Sequence, residues 1–129
     1  MAIVLLVEDE PALRAVLSEY LAFCGYAVIA AADATEALGH ADSTPLDVVV
    51  SDVLLPGMDG IELCASFRRH PRCAHVPFVF MTARNVDAQL REALDTCGDG
   101  SVLKPFEPTA LVAVIESALR PFGRQSCGG

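Results

Sequence analysis

Short apolar runs alternate along the chain with stretches whose apolar residues recur at helical spacing. Ile3-Val4-Leu5-Leu6-Val7 is unbroken, as in a strand covered on both faces, where neither side is left for polar residues. Leu13, Val16, Leu17, Tyr20, Leu21 and Cys24 then follow the i, i+3, i+4, i+7 rule and predict an amphipathic helix, with Pro11 in its first turn and Gly25 at its end. Residues 27–31 predict a weaker strand near a sheet edge, and 34–41 a short helix with Asp33 as N-cap. Residues 47–51 form the next strand, carrying Val48-Val49-Val50. Pro56-Gly57-Met58-Asp59-Gly60 has turn chemistry and predicts a loop. A helix follows towards His70, stopped by Pro71, with Ile61, Cys64 and Phe67 facing inwards. Residues 78–81 predict a fourth buried strand, and Val86, Leu90, Ala93, Leu94 and Cys97 another helix closed near Gly98. Val102-Leu103 is a short fifth strand, and Leu111, Val114, Ile115, Ala118, Leu119 and Phe122 form the last helical stripe, closed by Pro121 and Gly123.

This (βα)5 alternation implies an α/β fold with a parallel sheet and helices on both faces, because each crossover must be right-handed. Five strands of this length suit a flavodoxin-like doubly wound sheet, strand order 2-1-3-4-5. The chain of 129 residues fits one domain, taken here as 1–122, followed by a frayed tail over 123–129.

Charge narrows the function. A net charge of −8 argues against direct binding to nucleic acid or to anionic membrane, both of which need a positive footprint. The apolar runs are far shorter than the roughly 20 residues that span a bilayer, and no signal peptide opens the chain, so a soluble cytoplasmic protein is expected. Five cysteines, Cys24, Cys64, Cys73, Cys97 and Cys127, form no Cys-x-x-Cys pair, which argues for small buried or half-buried thiols rather than a zinc cage or disulfides. His40, His70 and His75 lack metal-ligand spacing and read as loop or helix-end residues. Of nine basic residues, Lys104 is the single lysine.

Polar residues collect at the carboxyl ends of the predicted strands. Glu8, Asp9 and Glu10 follow the first, Asp52 the third, Thr82 the fourth and Lys104 the fifth. Ligands of doubly wound sheets bind at this edge, where the strand order reverses between strands one and three. Glu8, Asp9 and Asp52 therefore converge. Two unit charges about 4 Å apart repel by roughly 4 kcal/mol at an effective dielectric near 20, so such a cluster calls for a proton or a cation. A hard oxygen set with room for water suits Mg²⁺. The simpler reading, that Glu8 and Asp9 only favour the start of the first helix, is weakened because Glu10 alone would serve. Lys104 can pair with Asp52 and later with a phosphoryl oxygen, and Thr82 adds a hydroxyl donor. Together these residues offer a nucleophile, a metal site and two oxyanion donors for in-line phosphoryl transfer.

With these residues in place, the chain resembles response-regulator receiver domains of two-component signalling, chemotaxis regulators among them, over about residues 2–122. Val7-Glu8-Asp9-Glu10 is similar to the family's acidic pair, and Ser51 to Gly60 to its phosphoacceptor strand and loop. Met81-Thr82-Ala83 and Leu103-Lys104-Pro105-Phe106 are similar to its two remaining signatures. The resemblance implies that Asp52 takes phosphate from a phosphohistidine on a sensor histidine kinase or histidine phosphotransfer protein. It also implies direct Mg²⁺ ligation by Asp9, Asp52 and the backbone carbonyl of Leu54, with Glu8 acting through a metal-bound water. Thr82, Ala83, Lys104 and Pro105 would bind the phosphoryl group and carry the switch, with the Lys104–Pro105 bond often cis in the family. The implied output partner is a downstream protein or a second copy, met through the helix around 86–97, the fifth strand and the last helix.

Five positions matter to how the chain departs from or varies within the pattern. Ser101 stands three residues before the lysine, where receivers usually carry Tyr, Phe or His. Cys97-Gly98 replaces a common Gly-Ala, and Leu54 and Arg84 occupy variable sites that influence phosphate lifetime. Two other readings compete. A haloacid-dehalogenase-type phosphotransferase also uses Asp, Mg²⁺, Thr or Ser, and Lys, but needs a second Asp two residues after the nucleophile, where this chain has Leu54. A receiver-fold module that works without phosphate would have no use for the intact set.

Overall fold

The computed structural model describes residues 1–55, 57–82, 92, 98–104 and 106–119. Five parallel strands form one sheet in the order β2-β1-β3-β4-β5. They are β1 (Ile3–Val7), β2 (Ala27–Ala31), β3 (Val48–Asp52), β4 (Phe78–Thr82) and β5 (Gly100–Leu103). The strand order is the one the alternation of elements predicts, with β2 at an edge.

The unbroken apolar strands are explained by two cores, one on each face of the sheet. Leu5, Val7, Val49, Phe78 and Phe80 point to one face, under α2 (Ala34–Ser43) and α3 (Gly60–Arg69). Val4, Leu6, Val48, Val50, Val79 and Met81 point to the other, under α1 (Pro11–Phe23) and α4 (Pro108–Leu119). The period of two along each strand divides its residues between the cores, so apolar residues fill both faces through most of β1, β3 and β4.

Local chemistry sets the helix ends. Pro11 opens α1, and the Glu10 carboxylate accepts the Leu13 N–H at 2.7 Å as N-cap. Gly25, at φ 102°, turns the chain out of α1. Asp33 caps α2 as expected, although the helix runs two residues past 41 to Ser43. The predicted loop ends one residue early. Gly60 is already the first residue of α3, held by a capping box between Asp59 and Glu62. Gly57 takes φ 82°, a backbone state that favours glycine.

Several predicted faces shift. Val16 is 56% exposed and Cys24 is exposed, so the α1 stripe narrows to Leu17 and Leu21, with Leu13 half-buried. In α3, Leu63 joins Cys64 and Phe67 in the core, while Ile61 is only half-buried. Phe67 meets Phe78 edge-on at 5.7 Å. Cys64 and Cys73 are buried, as expected, but Cys24 is exposed. His40 lies in the last turn of α2 and His70 caps the end of α3, where its Nε2 lies 2.7 Å from Asp42 Oδ1. The helix predicted around 86–97, apart from Glu92, lies outside the described residues, as do Cys97, Cys127 and the tail. No helix among the described residues is long and apolar enough to cross a membrane.

Candidate functional site

β1 ends at Val7, and Glu8 follows with its N–H donated to Ala31 O of β2 at 3.0 Å. Glu8 is 1% exposed. Each side-chain oxygen is used: Oε2 accepts the Glu10 N–H at 3.0 Å, and Oε1 accepts from Lys104 Nζ at 3.1 Å. Burial raises the Glu8 pKa, and the charge of Asp52 adds to that, against the Glu10 amide and Lys104, which lower it. Asp9, the next residue, is exposed. A buried carboxylate thus anchors the turn that presents an accessible one.

Asp52 is the last residue of β3 and is 9% exposed. Its Oδ1 accepts the Leu54 N–H at 3.2 Å, and its Oδ2 accepts from Lys104 Nζ at 2.5 Å. The Glu8, Asp9 and Asp52 carboxylates each offer an oxygen within 4.8 Å of the others. Convergence across the β1–β3 crevice is therefore observed.

Lys104 follows β5 and its ammonium bridges Glu8 and Asp52. Burial opposes its charge, but the hydrogen bond and charge of Asp52, and then those of Glu8, outweigh this and raise its pKa. Three carboxylates against one ammonium leave a formal surplus of two negative charges among these groups. A divalent cation fits that surplus, and an all-oxygen donor set with one exposed member suits a hard, partly hydrated ion. Thr82 ends β4, is buried, and its carbonyl accepts the Lys104 N–H at 2.7 Å. The main chains of the two phosphoryl-binding candidates are thereby joined. Ser101 is exposed in β5 opposite Phe80 of β4. Ala83 and Pro105 lie outside the described residues, as does Arg84.

Arg14, outside the motifs, and Ser51 and Gly60, the two ends of the phosphoacceptor segment, also meet this site. Arg14 Nη1 donates to the Glu8 carbonyl at 2.9 Å. An arginine so close to a helix N-terminus opposes the helix dipole, a sequence signal that it has another use. The Ser51 hydroxyl donates to the Asp52 carbonyl at 2.9 Å, and Gly60 packs against that same carbonyl. Neither contact has a sequence signature beyond adjacency to Asp52 and the start of α3.

A five-stranded 2-1-3-4-5 sheet with a carboxylate cluster, a hydroxyl and a lysine at its switch point defines a receiver-type signalling domain. The response regulator receiver domain model matches residues 4–116, and the chain belongs to that family. Among curated relatives, the transcriptional regulatory protein BaeR of Escherichia coli is 33% identical over 117 residues, covering 91% of this chain and 48% of BaeR. AfsQ1 of Streptomyces coelicolor, also a transcriptional regulatory protein, is 36% identical over 126 residues, covering 98% of this chain and 55% of AfsQ1. The chain thus spans about half the length of the curated relatives it matches. The chemotaxis response regulator CheY4 of Vibrio cholerae superimposes with a TM-score of 0.85 at 31% identity, covering 92% of this chain and 99% of CheY4.

Proposed function

We propose that Asp52 is the phosphoacceptor of a two-component phosphorelay, taking its phosphoryl group from a sensor histidine kinase or a histidine phosphotransfer protein. The observation that carries this reading is the Lys104 ammonium bridging Asp52 and Glu8 at the switch point of the sheet. An Asp52 carboxylate oxygen attacks phosphorus in line. The O–P bond forms as the P–N bond of phosphohistidine breaks, and the imidazole leaves with the electron pair and takes up a proton from solvent. Lys104 and the Thr82 hydroxyl then hold phosphoryl oxygens, with Ala83 and Pro105 next to them in sequence.

Asp9, Asp52 and the Leu54 carbonyl would hold Mg²⁺ directly, with Glu8 acting through water. That role suits Glu8, because both of its oxygens already accept protein hydrogen bonds. Bound there, the ion neutralises charge that accumulates on the phosphoryl oxygens. Residues 1–122 form the receiver unit in this reading. It is a cytoplasmic signalling switch rather than an enzyme with a turnover substrate: Leu54 stands where a dehalogenase-type phosphatase would need its acid, and it is 70% exposed. Output passes to a downstream protein or a second copy through the face that includes β5 and α4. The relatives regulate transcription by name, but the net charge of −8 makes this unit itself a poor DNA ligand.

Incubation with acetyl phosphate and Mg²⁺ should produce an acyl phosphate, seen as a mass gain or a gel shift. Asp52→Asn should abolish it. Undiminished labelling of Asp52→Asn would refute the assignment.

A further inference from the structure

The segment that carries Asp52 is held at its main chain as well as at its carboxylate. The Val53 N–H donates to Met81 O of β4 at 3.1 Å, and the Gly60 N–H donates to Val53 O at 2.7 Å. The fully buried Ser51 hydroxyl donates to the Asp52 carbonyl at 2.9 Å. The first turn of α3 lies directly against that carbonyl. A methyl group built on Gly60 would fall inside contact distance of the Asp52 carbonyl oxygen, 3.0 Å from Val53 Cα and 3.2 Å from the Asp52 carbonyl carbon. All three atoms belong to backbone, so no side chain can swing aside. Gly60 is needed here for space and not for its φ, which is not in the left-handed region.

We propose that Ser51 and Gly60 are positioning residues for phosphoryl transfer: they seat the Asp52 carbonyl between a strand hydroxyl and the start of α3, and so aim the carboxylate. Neither touches the phosphoryl donor. The Asp52 side chain leaves the main chain one atom from the seated carbonyl carbon. A displacement of that carbonyl therefore rotates the nucleophile away from Lys104 and from the in-line path. Misplacement of reacting atoms on this scale costs rate steeply, up to about a hundredfold per ångström.

The proposal rests on Asp52 being the phosphoacceptor, and one experiment separates the two. Initial rates of acyl phosphate formation are measured against acetyl phosphate concentration at saturating Mg²⁺ for wild type, Ser51→Ala and Gly60→Ala. Rates are normalised to the folded fraction from circular dichroism. The maximal rate should fall by about tenfold in Ser51→Ala and further in Gly60→Ala, with the half-saturating acetyl phosphate concentration within about twofold of wild type. A loss of stability alone lowers the folded fraction and leaves the rate per folded molecule unchanged. Should Gly60→Ala fail to fold, Ser51→Ala decides, since it removes only a hydroxyl. Wild-type maximal rates in the folded variants would overturn the proposal and leave the phosphoacceptor reading standing. Absence of label on wild type would overturn both.

Discussion

Lys104 Nζ lies 2.5 Å from Asp52 Oδ2, although 52 residues separate the two in sequence and they leave the sheet from β5 and β3. β4 lies between those strands, so the lysine reaches across the end of β4 to the carboxylate. The main-chain bond from Lys104 N–H to Thr82 O fixes where that reach begins.

The pairing has a pH signature that a single spectroscopic probe can read. Lys104 is the only lysine, so a lysine Cε label gives one signal. Its pKa is raised in the folded protein above the ordinary value of 10.5, against burial, by Asp52 and then Glu8. Its contribution to stability is therefore fully present below pH 10.5 and is lost as pH rises through the folded value. The midpoint should drop in Asp52→Asn and, less, in Glu8→Gln. A midpoint unmoved by Asp52→Asn would show that the pair does not persist in solution.

Metal affinity should separate the three carboxylates. Asp9→Asn should weaken Mg²⁺ binding strongly, because it removes the exposed member of the carboxylate cluster. Glu8→Gln should weaken it less, since Glu8 is committed to Lys104 and the Glu10 amide. Lys104→Ala should leave the affinity unchanged or raised, because it removes a cation that competes for Asp52. Titration calorimetry tests all three. No binding to wild type, or a large loss in Lys104→Ala, would refute the arrangement.

Core substitutions should follow the observed faces rather than the predicted stripes. Phe67 is fully buried against Phe78, so Phe67→Ala should cost about 3–5 kcal/mol in denaturant unfolding. Val16→Ala should stay within about 0.5 kcal/mol, because Val16 is 56% exposed. Equal losses would mean that α1 sits rotated from the orientation described here.

That contrast shows where the sequence was legible. Strand number, order and the convergence of Glu8, Asp9, Asp52 and Lys104 could be read because a doubly wound sheet admits few arrangements and gathers its polar residues at one edge. Val16 could not be placed, since the border of a helical stripe depends on how far its neighbours wrap round the helix. Arg14 lies in no motif, and Ser51 and Gly60 are visible only as the ends of one, for a related reason. They act through main-chain carbonyls, and a carbonyl leaves no mark in the residue alphabet.

The last prediction concerns Ser101 in β5. In receivers the aromatic usually found there fills the space left when the threonine corresponding to Thr82 moves towards the phosphoryl group. Ser101 is too small to do so, and it is already exposed at the sheet edge. A second path is present, because the Thr82 carbonyl holds the Lys104 N–H at 2.7 Å. Movement of Thr82 therefore passes to Lys104 through the backbone, without help from the Ser101 side chain. Coupling between distant sites is typically about 1–3 kcal/mol, so the loss of one packing contact is a sizeable fraction of it. Beryllofluoride, a phosphoryl mimic, should shift amide resonances strongly at Asp52, Thr82, Lys104 and the segment 83–85. The shifts should fade at Ser101 and along α4. Ser101→Tyr should extend them along β5 and into α4. Large shifts along α4 in the wild type, unaltered in Ser101→Ala, would show that the signal reaches that face by a route independent of position 101.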